Sequence, residues 1–534
     1  MKKFSVLVAS LAIVSFLACS KKPSSSDSSS SSAKVSGKTL VFARPGDSVG
    51  LDGARHEDGE SLNIATNMVE TLVRFKTGTG EIEPWLAKSW DISKDAKTYT
   101  FHLRENVKFS DGTPFNADAV VFSIERQWKK DHPAYPFSTP YKYWENMTMS
   151  QIVKEIKKVD DMTVQFVLHK PNAPFMANLT MPFMTIVSPT AVMKYKENYD
   201  QNPVGTGPYV LGNWKKDDSM ELLANENYWG EKAFIKRVIV RVIPDNQVRL
   251  LELKNGSVHI MEFPNPSDVA SLKNDPHIKL LQAEGLNVGY LAYNTTKKPF
   301  DNVDVRRALS IAIDRKRLLD EIYIGFGALA KNLIPPQVLG FNSAVADLEY
   351  NPEKAKELLK KAGIQNLTVD LWAMPVARPY NPNARKMAEF IQADWKRVGV
   401  DAKIISYDWG TYLDKIGKGE HETVLIGWQG DNGDPDNFFF PLLSKESAKI
   451  PTQNYSFYRD EAASLLMRQA QETPSPAKRA ELYKKLQVQL AKDLPVMNIA
   501  HSLMIVPTRA DVEGYKIHPI GGDRRFAEAK WKNN

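Results

Sequence analysis

Three observations predict an α/β fold of more than one domain. The chain runs to 534 residues, more than a single hydrophobic core ordinarily organises. Its composition, 43% hydrophobic and 25% charged, is that of a globular protein in water. Between Leu367 and Gln429, strand-like and helix-like patterns alternate. Leu367-Thr-Val-Asp-Leu371, Asp401-Ala-Lys-Ile-Ile-Ser-Tyr407 and Glu422-Thr-Val-Leu-Ile426 are strand-like runs, and Arg385 to Lys396 is a helical stripe. The region reads β, α, β, α, β, the signature of a parallel sheet.

The amino terminus reads as an address rather than a fold. Met1-Lys-Lys3 precedes a short apolar run from Phe4 to Phe16, too brief to span a bilayer, so residues 1–18 form an export signal. The signal ends Leu17-Ala18-Cys19, which resembles a bacterial lipobox and marks Cys19 for lipidation as the first mature residue. Cys19 is the one cysteine, so no internal disulfide forms. Residues 19–37 are Ser-rich and nearly devoid of apolar side chains, a tether from which a body starting near Lys38 hangs at a membrane surface. Removing Lys2 and Lys3 takes the formal charge from +7 to +5, and no basic block interleaved with aromatics appears, which argues against nucleic acid as a partner.

Along the body, Thr39-Leu-Val-Phe-Ala43 is the first strand and Ser61 to Leu72 an amphipathic helix. Tyr99, Phe101 and Leu103 alternate in a strand, a second short strand follows, and Asp111-Gly112 turns the chain into a helix from about Ala117. Ile156 to Val159 and Thr163 to Leu168 pair as a hairpin across Asp160-Asp161. Arg237 to Ile243 is a strand, and Val248 to Lys254 a helix stopped by Gly256. Further on, Val305 to Ile313 is a helical stripe. Asn351 caps the next helix, Pro352 occupies its first turn and Gly363 ends it, with Glu357 and Lys361 spaced to pair.

Two loops follow the carboxyl ends of strands, where open parallel sheets hold ligands. One carries Arg378 and the other Asp431. A cation and an anion delivered together suit a small zwitterion such as a free peptide, its ammonium on Asp431 and its carboxylate forked by Arg378. A solvated pair of loops with surface ions is the alternative. The same loop also brings together Asp431, Asp434 and Asp436, but a calcium loop fails on spacing, with Gly433 where a ligand is needed. An aspartyl acid/base pair would need carboxyls of separated acidity, which residue types alone do not reveal. Gly46-Asp-Ser-Val-Gly50 matches the serine-hydrolase elbow in letters, yet Pro45 precedes it and no helical pattern follows. His102 reads as a strand residue with no second metal-type residue at useful spacing.

Trp372-Ala-Met-Pro-Val-Ala-Arg-Pro-Tyr-Asn-Pro-Asn-Ala-Arg385 and Gly427-Trp-Gln-Gly-Asp-Asn-Gly-Asp-Pro-Asp-Asn-Phe438 resemble the ligand-contacting segments of periplasmic dipeptide-binding proteins of peptide ABC importers, within the family 5 extracellular solute-binding proteins. The run from Lys97 to Asp118, and Pro203 to Tyr209 with Asn225 to Trp229, resemble the broader family. The resemblance implies a bilobed periplasmic-binding-protein-like fold of the large peptide-binding type, with two hinge crossings. Lobe I would comprise residues 38–284 and 502–534 with an inserted subdomain near 75–200, and lobe II residues 285–501. It implies that Asp431 holds the peptide's amino terminus and Arg378 its carboxylate, with Pro379, Tyr380, Trp428, Gln429 and Gly430 lining the pocket. Glu57, Asp58 and Gly59 would be the first lobe's contribution, although the family's loop is richer in Ser and Thr there and a solvated acidic loop is the alternative. Tyr380 and Trp428 wall pockets in this reading, or merely pack in a core. The implied partners are a dipeptide, a membrane-embedded ABC permease and, through Cys19, a membrane; the implied protein is a monomer in the periplasm or at the cell surface, without a cofactor and without enzymatic activity. A longer peptide or haem, which some relatives accept, is the alternative ligand within the family, and an exported hydrolase using Ser48 the alternative outside it.

Overall fold

The computed structural model describes residues 38–76, 81–518, 520 and 524–532. The expected export signal, the tether and Cys19 lie outside the described residues.

The alternation read between Leu367 and Gln429 folds as expected. Leu367–Ala373 lies parallel to Val400–Ile405 on one side and to Thr423–Gln429 on the other. Helices Ala384–Arg397 and Trp409–Gly417 make the crossovers, and Asn383 caps the first by accepting from Lys386 N–H at 3.0 Å. This parallel unit is one end of a twelve-stranded sheet. From Thr423–Gln429 the sheet continues through Asn287–Tyr293, Val496–Arg509, Ile260–Met261, Leu40–Arg44, Arg237–Val242 and Ser219–Ala224 to Tyr209–Lys215.

The 14-residue strand Val496–Arg509 joins the two halves of that sheet. Its first part pairs with Asn287–Tyr293 and with Gly327–Leu329. From Leu503 onward it pairs instead with Ile278–Glu284, in register from Glu284↔Leu503 to Ile278↔Arg509. The neighbouring chain breaks its own strand at Gly285-Leu286, so two adjacent runs pass from one lobe to the other at the same level. The architecture is bilobed, with two crossings.

A separate four-stranded antiparallel sheet, in the order Ala87–Ile92, Thr98–Leu103, Thr163–Leu168, Val153–Asp160, belongs to the amino-terminal half. Tyr99, Phe101 and Leu103 are buried while the residues between them are not, and Phe101 meets Phe166 edge-on across the strands at 5.7 Å.

Three local expectations are corrected. The helix expected over Ser61 to Leu72 spans only Gly59–Ala65: the carbonyls of Asn67 and Met68 accept instead from Tyr209 and Gly207 N–H, and buried Glu70 is held by donors on Trp85, Thr206, Tyr228 and Trp229. The second short strand after Leu103 is a single bridge, Lys108 to Pro114. Glu357 and Lys361 do not pair, because Glu357 meets Lys354 at 2.8 Å and Lys361 reaches Asp304 of the packed neighbouring helix at 3.4 Å. All four side chains are at the surface, where such choices cost little.

A buried ion pair ties the loop ahead of Gly59 to helix Ala117–Glu125. Arg126 forks onto Asp52 at 2.7 and 2.8 Å, and Ser138 donates to the same carboxylate at 2.7 Å. Burial works to raise the Asp52 pKa, but the guanidinium and its hydrogen bonds hold it below the usual range. Asp52→Ala, which strands a buried guanidinium, is expected to cost about 3–5 kcal/mol; urea unfolding at pH 7 checks this, and a loss under about 1 kcal/mol contradicts it.

Candidate functional site

Parallel pairing sends the two loops off the same edge of the sheet: Leu367–Ala373 ends at Ala373, opposite Leu425, and Thr423–Gln429 runs four residues further before its own loop begins. The first loop doubles back at Arg378, whose N–H and carbonyl exchange hydrogen bonds with Asn381 at 3.0 Å each. Tyr380 then lies flat on the sheet. Its carbonyl accepts from Tyr323 Oη at 2.6 Å, and a Cβ on Gly427 would stand 2.2 Å from its ring, so only glycine permits this approach. The second loop is tied to the first crossing, Gly430 N–H donating to the Leu286 carbonyl at 2.6 Å.

Both loops face helix Gly59–Ala65 and its approach across a cavity of about 80 Å³. Arg378, Tyr380, Trp428, Gln429 and Asp431 line it from one side, and Glu57, Asp58 and Gly59 from the other. Pro379 and Gly430 are adjacent in sequence but are not among the lining residues, a departure from the expected set: Pro379 carries the turn at Arg378, and Gly430 spends its N–H on the crossing. Asp58 is not a free loop acid either. Its carboxylate caps the helix, accepting from Ser61 N–H at 3.1 Å, and Gly59 is already the helix's first residue. Tyr380 and Trp428 are at once buried and cavity-lining.

Each predicted charge meets a partner from the opposite wall. Arg378 Nη1 donates to Glu60 Oε1 at 2.8 Å and to the Ala377 carbonyl at 3.0 Å, while Nη2 makes no hydrogen bond. The guanidinium lies over the rings of Trp409 and Phe263, 4.9 and 5.4 Å from their centroids. Burial works against its charge, yet the Glu60 carboxylate raises its pKa. Glu60 is itself pushed up by burial despite Arg378 and Arg44. Asp431 accepts from the Tyr143 hydroxyl, and burial, reinforced by the charge of Glu57, pushes its pKa up to about 7.

The other chemical readings find their side chains engaged elsewhere. Asp434 is forked by Arg479 at 2.7 and 2.9 Å, and Asp436 accepts from Gln471 at 3.0 Å. Ser48 is buried, with Oγ donating to the Glu60 carbonyl at 2.7 Å and accepting from Arg44 at 3.1 Å rather than facing a base. His102 contacts Asp91 at a half-exposed strand position. Sequence reasoning missed Glu60, Tyr143, Trp409, Gln453 and Tyr455. Glu60 carried a signal, standing beside three residues already singled out; Trp409 opens the crossover helix Trp409–Gly417 and Tyr143 lies on the short helix Lys142–Asn146, while Gln453 and Tyr455 come from an irregular segment.

A cleft between two lobes, crossed twice by the chain and walled by buried charges of both signs, defines a substrate-binding protein. The chain belongs to the bacterial extracellular solute-binding proteins, family 5, whose model matches residues 81–449. It is 46% identical over 503 residues to the dipeptide-binding protein of Escherichia coli strain K12, covering 92% of this chain and 94% of that protein. The ABC transporter-associated periplasmic binding protein DppA of Helicobacter pylori, solved with the peptide STSA, superposes with a TM-score of 0.88 at 41% identity, over 93% of this chain and 98% of that one. The dipeptide-binding protein of Pseudoalteromonas sp. SM9913, solved with Met-Leu, superposes with a TM-score of 0.89 at 33% identity, over 93% and 100%.

A carboxyl that titrates near 7 when folded and near 3.9 when unfolded favours the folded state in its protonated form. Its contribution is therefore fully present below about pH 4 and is lost as pH rises through 7. Asp431→Asn removes this slope, so the variant should gain on the parent between pH 5 and pH 8, by at most about 3 kcal/mol. Urea unfolding of both at the two pH values checks this; parallel pH profiles would sink it.

Proposed function

We propose that this chain captures dipeptides by their charged termini and delivers them to a membrane-embedded ABC permease. The observation that carries the reading is that Asp431 and Arg378 line one cavity between the lobes, both buried from bulk water. In this reading the ligand's ammonium pairs with Asp431 and its carboxylate meets Arg378 Nη2, and the peptide is held without being cleaved. Lobe I comprises residues 38–284 and 502–534, with an inserted subdomain near 75–200, and lobe II residues 285–501. The change of strand partner at Leu503 and the break at Gly285-Leu286 support these limits. The lobes open about those crossings to admit the peptide and close to bury it. The described cavity of about 80 Å³ is smaller than the roughly 300–1,000 Å³ of small-molecule pockets, consistent with closed walls that part on binding. The protein acts as a monomer, needs no cofactor, and works in the periplasm or at the cell surface, held by a lipid on Cys19.

One observation favours a second reading, a longer peptide. Asp431 also borders a larger cavity of about 530 Å³ between Thr66–Phe75 and the carboxyl-terminal segment, room that an extension beyond the first residue would fill.

Calorimetric titration separates the two. Dialanine is expected to bind, and trialanine and N-acetyl-dialanine at least about tenfold more weakly, since each displaces or removes a buried terminal charge; equal binding of trialanine would favour the longer ligand. Asp431→Ala and Arg378→Ala should each lose about 3–5 kcal/mol of dialanine binding, more than about a hundredfold, with the peptide recovered intact from the parent. Labelled palmitate should enter the parent and not Cys19→Ala; equal labelling would remove the lipid anchor.

A further inference from the structure

The walls of the cleft are unevenly charged. Glu57, Asp58 and Asp431 line the cavity against one guanidinium, Arg378, and Glu60 already pairs with that guanidinium. Compensation from outside the lining is sparse. Lys142 Nζ stands 3.8 Å from Glu57 Oε1, and Arg44 3.4 Å from Glu60 Oε2. His56, next in the chain to Glu57, is engaged with Asp200 at 2.7 Å.

Hydrogen-bonding capacity is divided between the two ends. Gln453, fully buried, donates Nε2 to Glu57 Oε2 at 2.7 Å. A carboxylate only accepts, so this contact sets the amide's orientation and makes Oε1, which has no donor, an acceptor beside Glu57. Asn63 Oδ1 lines the same cavity and likewise has no donor. At the Arg378 end the unmatched groups are donors, Arg378 Nη2 and Trp409 Nε1, a pair suited to the two oxygens of a ligand carboxylate. Glu57 is near enough to Asp431 for its charge to raise that carboxyl's pKa, and Tyr143, the donor to Asp431, feels both charges. One end of the cavity thus holds two neighbouring buried carboxyls, met from the protein by Lys142 at 3.8 Å, the Gln453 amide and the Tyr143 hydroxyl, together with an amide oxygen that has no donor, a setting that favours added positive charge.

Resting on the dipeptide reading above, we propose that the cleft selects dipeptides whose first residue has a basic side chain, lysine or arginine. The α-ammonium pairs with Asp431, and the side-chain cation pairs with Glu57 and donates to Gln453 Oε1. Two positive charges then meet two carboxylates at one end while a single carboxylate meets Arg378 Nη2 and Trp409 Nε1 at the other. An acidic first residue would add a third anion to the crowded end.

Calorimetric titration of the full chain with Lys-Ala, Arg-Ala, Ala-Lys, Ala-Ala and Glu-Ala tests this. Lys-Ala and Arg-Ala should bind at least about tenfold tighter than Ala-Ala, Glu-Ala at least about tenfold weaker, and Ala-Lys should gain less than Lys-Ala. In Glu57→Gln the ratio of Lys-Ala to Ala-Ala affinity should fall to about threefold or less, a ratio within one protein that partial unfolding cannot imitate. The proposal is overturned if Lys-Ala binds no better than Ala-Ala, if Ala-Lys matches Lys-Ala, or if the ratio survives in Glu57→Gln. The series on the parent chain decides even where the variant fails to fold. Equal binding of all five peptides overturns this selectivity alone, whereas no binding of any overturns the dipeptide reading and the selectivity with it.

Discussion

The ion pair between Glu60 and Arg378 joins residues 318 positions apart and closes the cleft from wall to wall. A guanidinium this deeply placed cannot be left alone. Removing one partner of a buried pair costs about 3–5 kcal/mol, far more than a surface ion pair contributes. Everything around Arg378 answers that demand: the backbone turn at Asn381 fixes its origin, the rings of Trp409 and Phe263 flank its planar face, and Glu60 takes one of its nitrogens. Asp431 stands in the mirror situation, a carboxyl in the loop that follows the same sheet and accepts from Tyr143, 288 positions away.

The sheet makes these meetings possible at defined places. Both charged loops leave parallel strands whose order brings their carboxyl ends together, and Gly430 anchors the second loop to Leu286 at the first crossing. The loop carrying Asp431 is therefore tied directly to the crossing. On the far wall, Asp58 caps the short helix that presents Glu60, and Asp52, two turns of chain earlier, is locked to Arg126. Each wall is thus tied by its own hydrogen bonds close to its charges.

Local chemistry in the sequence made much of this architecture legible. Asn351, Pro352 and Gly363 bracket a helix at its observed limits, the hairpin read across Asp160-Asp161 forms with its turn one residue later, at Asp161-Met162, and the alternation of strands and helix around Arg378 is a pattern of periods that no other fold class produces as readily. What failed was whatever depended on distant partners. The helix after Gly59 stops at Ala65 because Gly207 and Tyr209, more than a hundred residues on, claim the carbonyls that would continue it. Lys361 prefers Asp304 of a neighbouring helix to its own Glu357. At the site, the residues on strand-following loops were readable from turn composition and from resemblance, whereas Tyr143 reaches the cavity from the five-residue helix Lys142–Asn146 and Gln453 from an irregular segment, neither of which carries a signal of its own.

The walls' mutual satisfaction has an energetic consequence for how such a cleft works. When Arg378 is met by Glu60 and Asp431 by Tyr143, closure without a ligand already pairs part of the buried charge, so a peptide gains only the difference between its own contacts and those. Two features keep that difference favourable. Arg378, stacked on Trp409, keeps one nitrogen without a hydrogen bond while Glu60 takes the other. Asp431, pushed up to about pH 7 by burial and by Glu57, is a poorly satisfied anion that a neutral phenol cannot neutralise, and a cation there restores what burial took away. The two walls thereby meet closely enough to define the cavity, while the charge at the Asp431 end is left incompletely compensated.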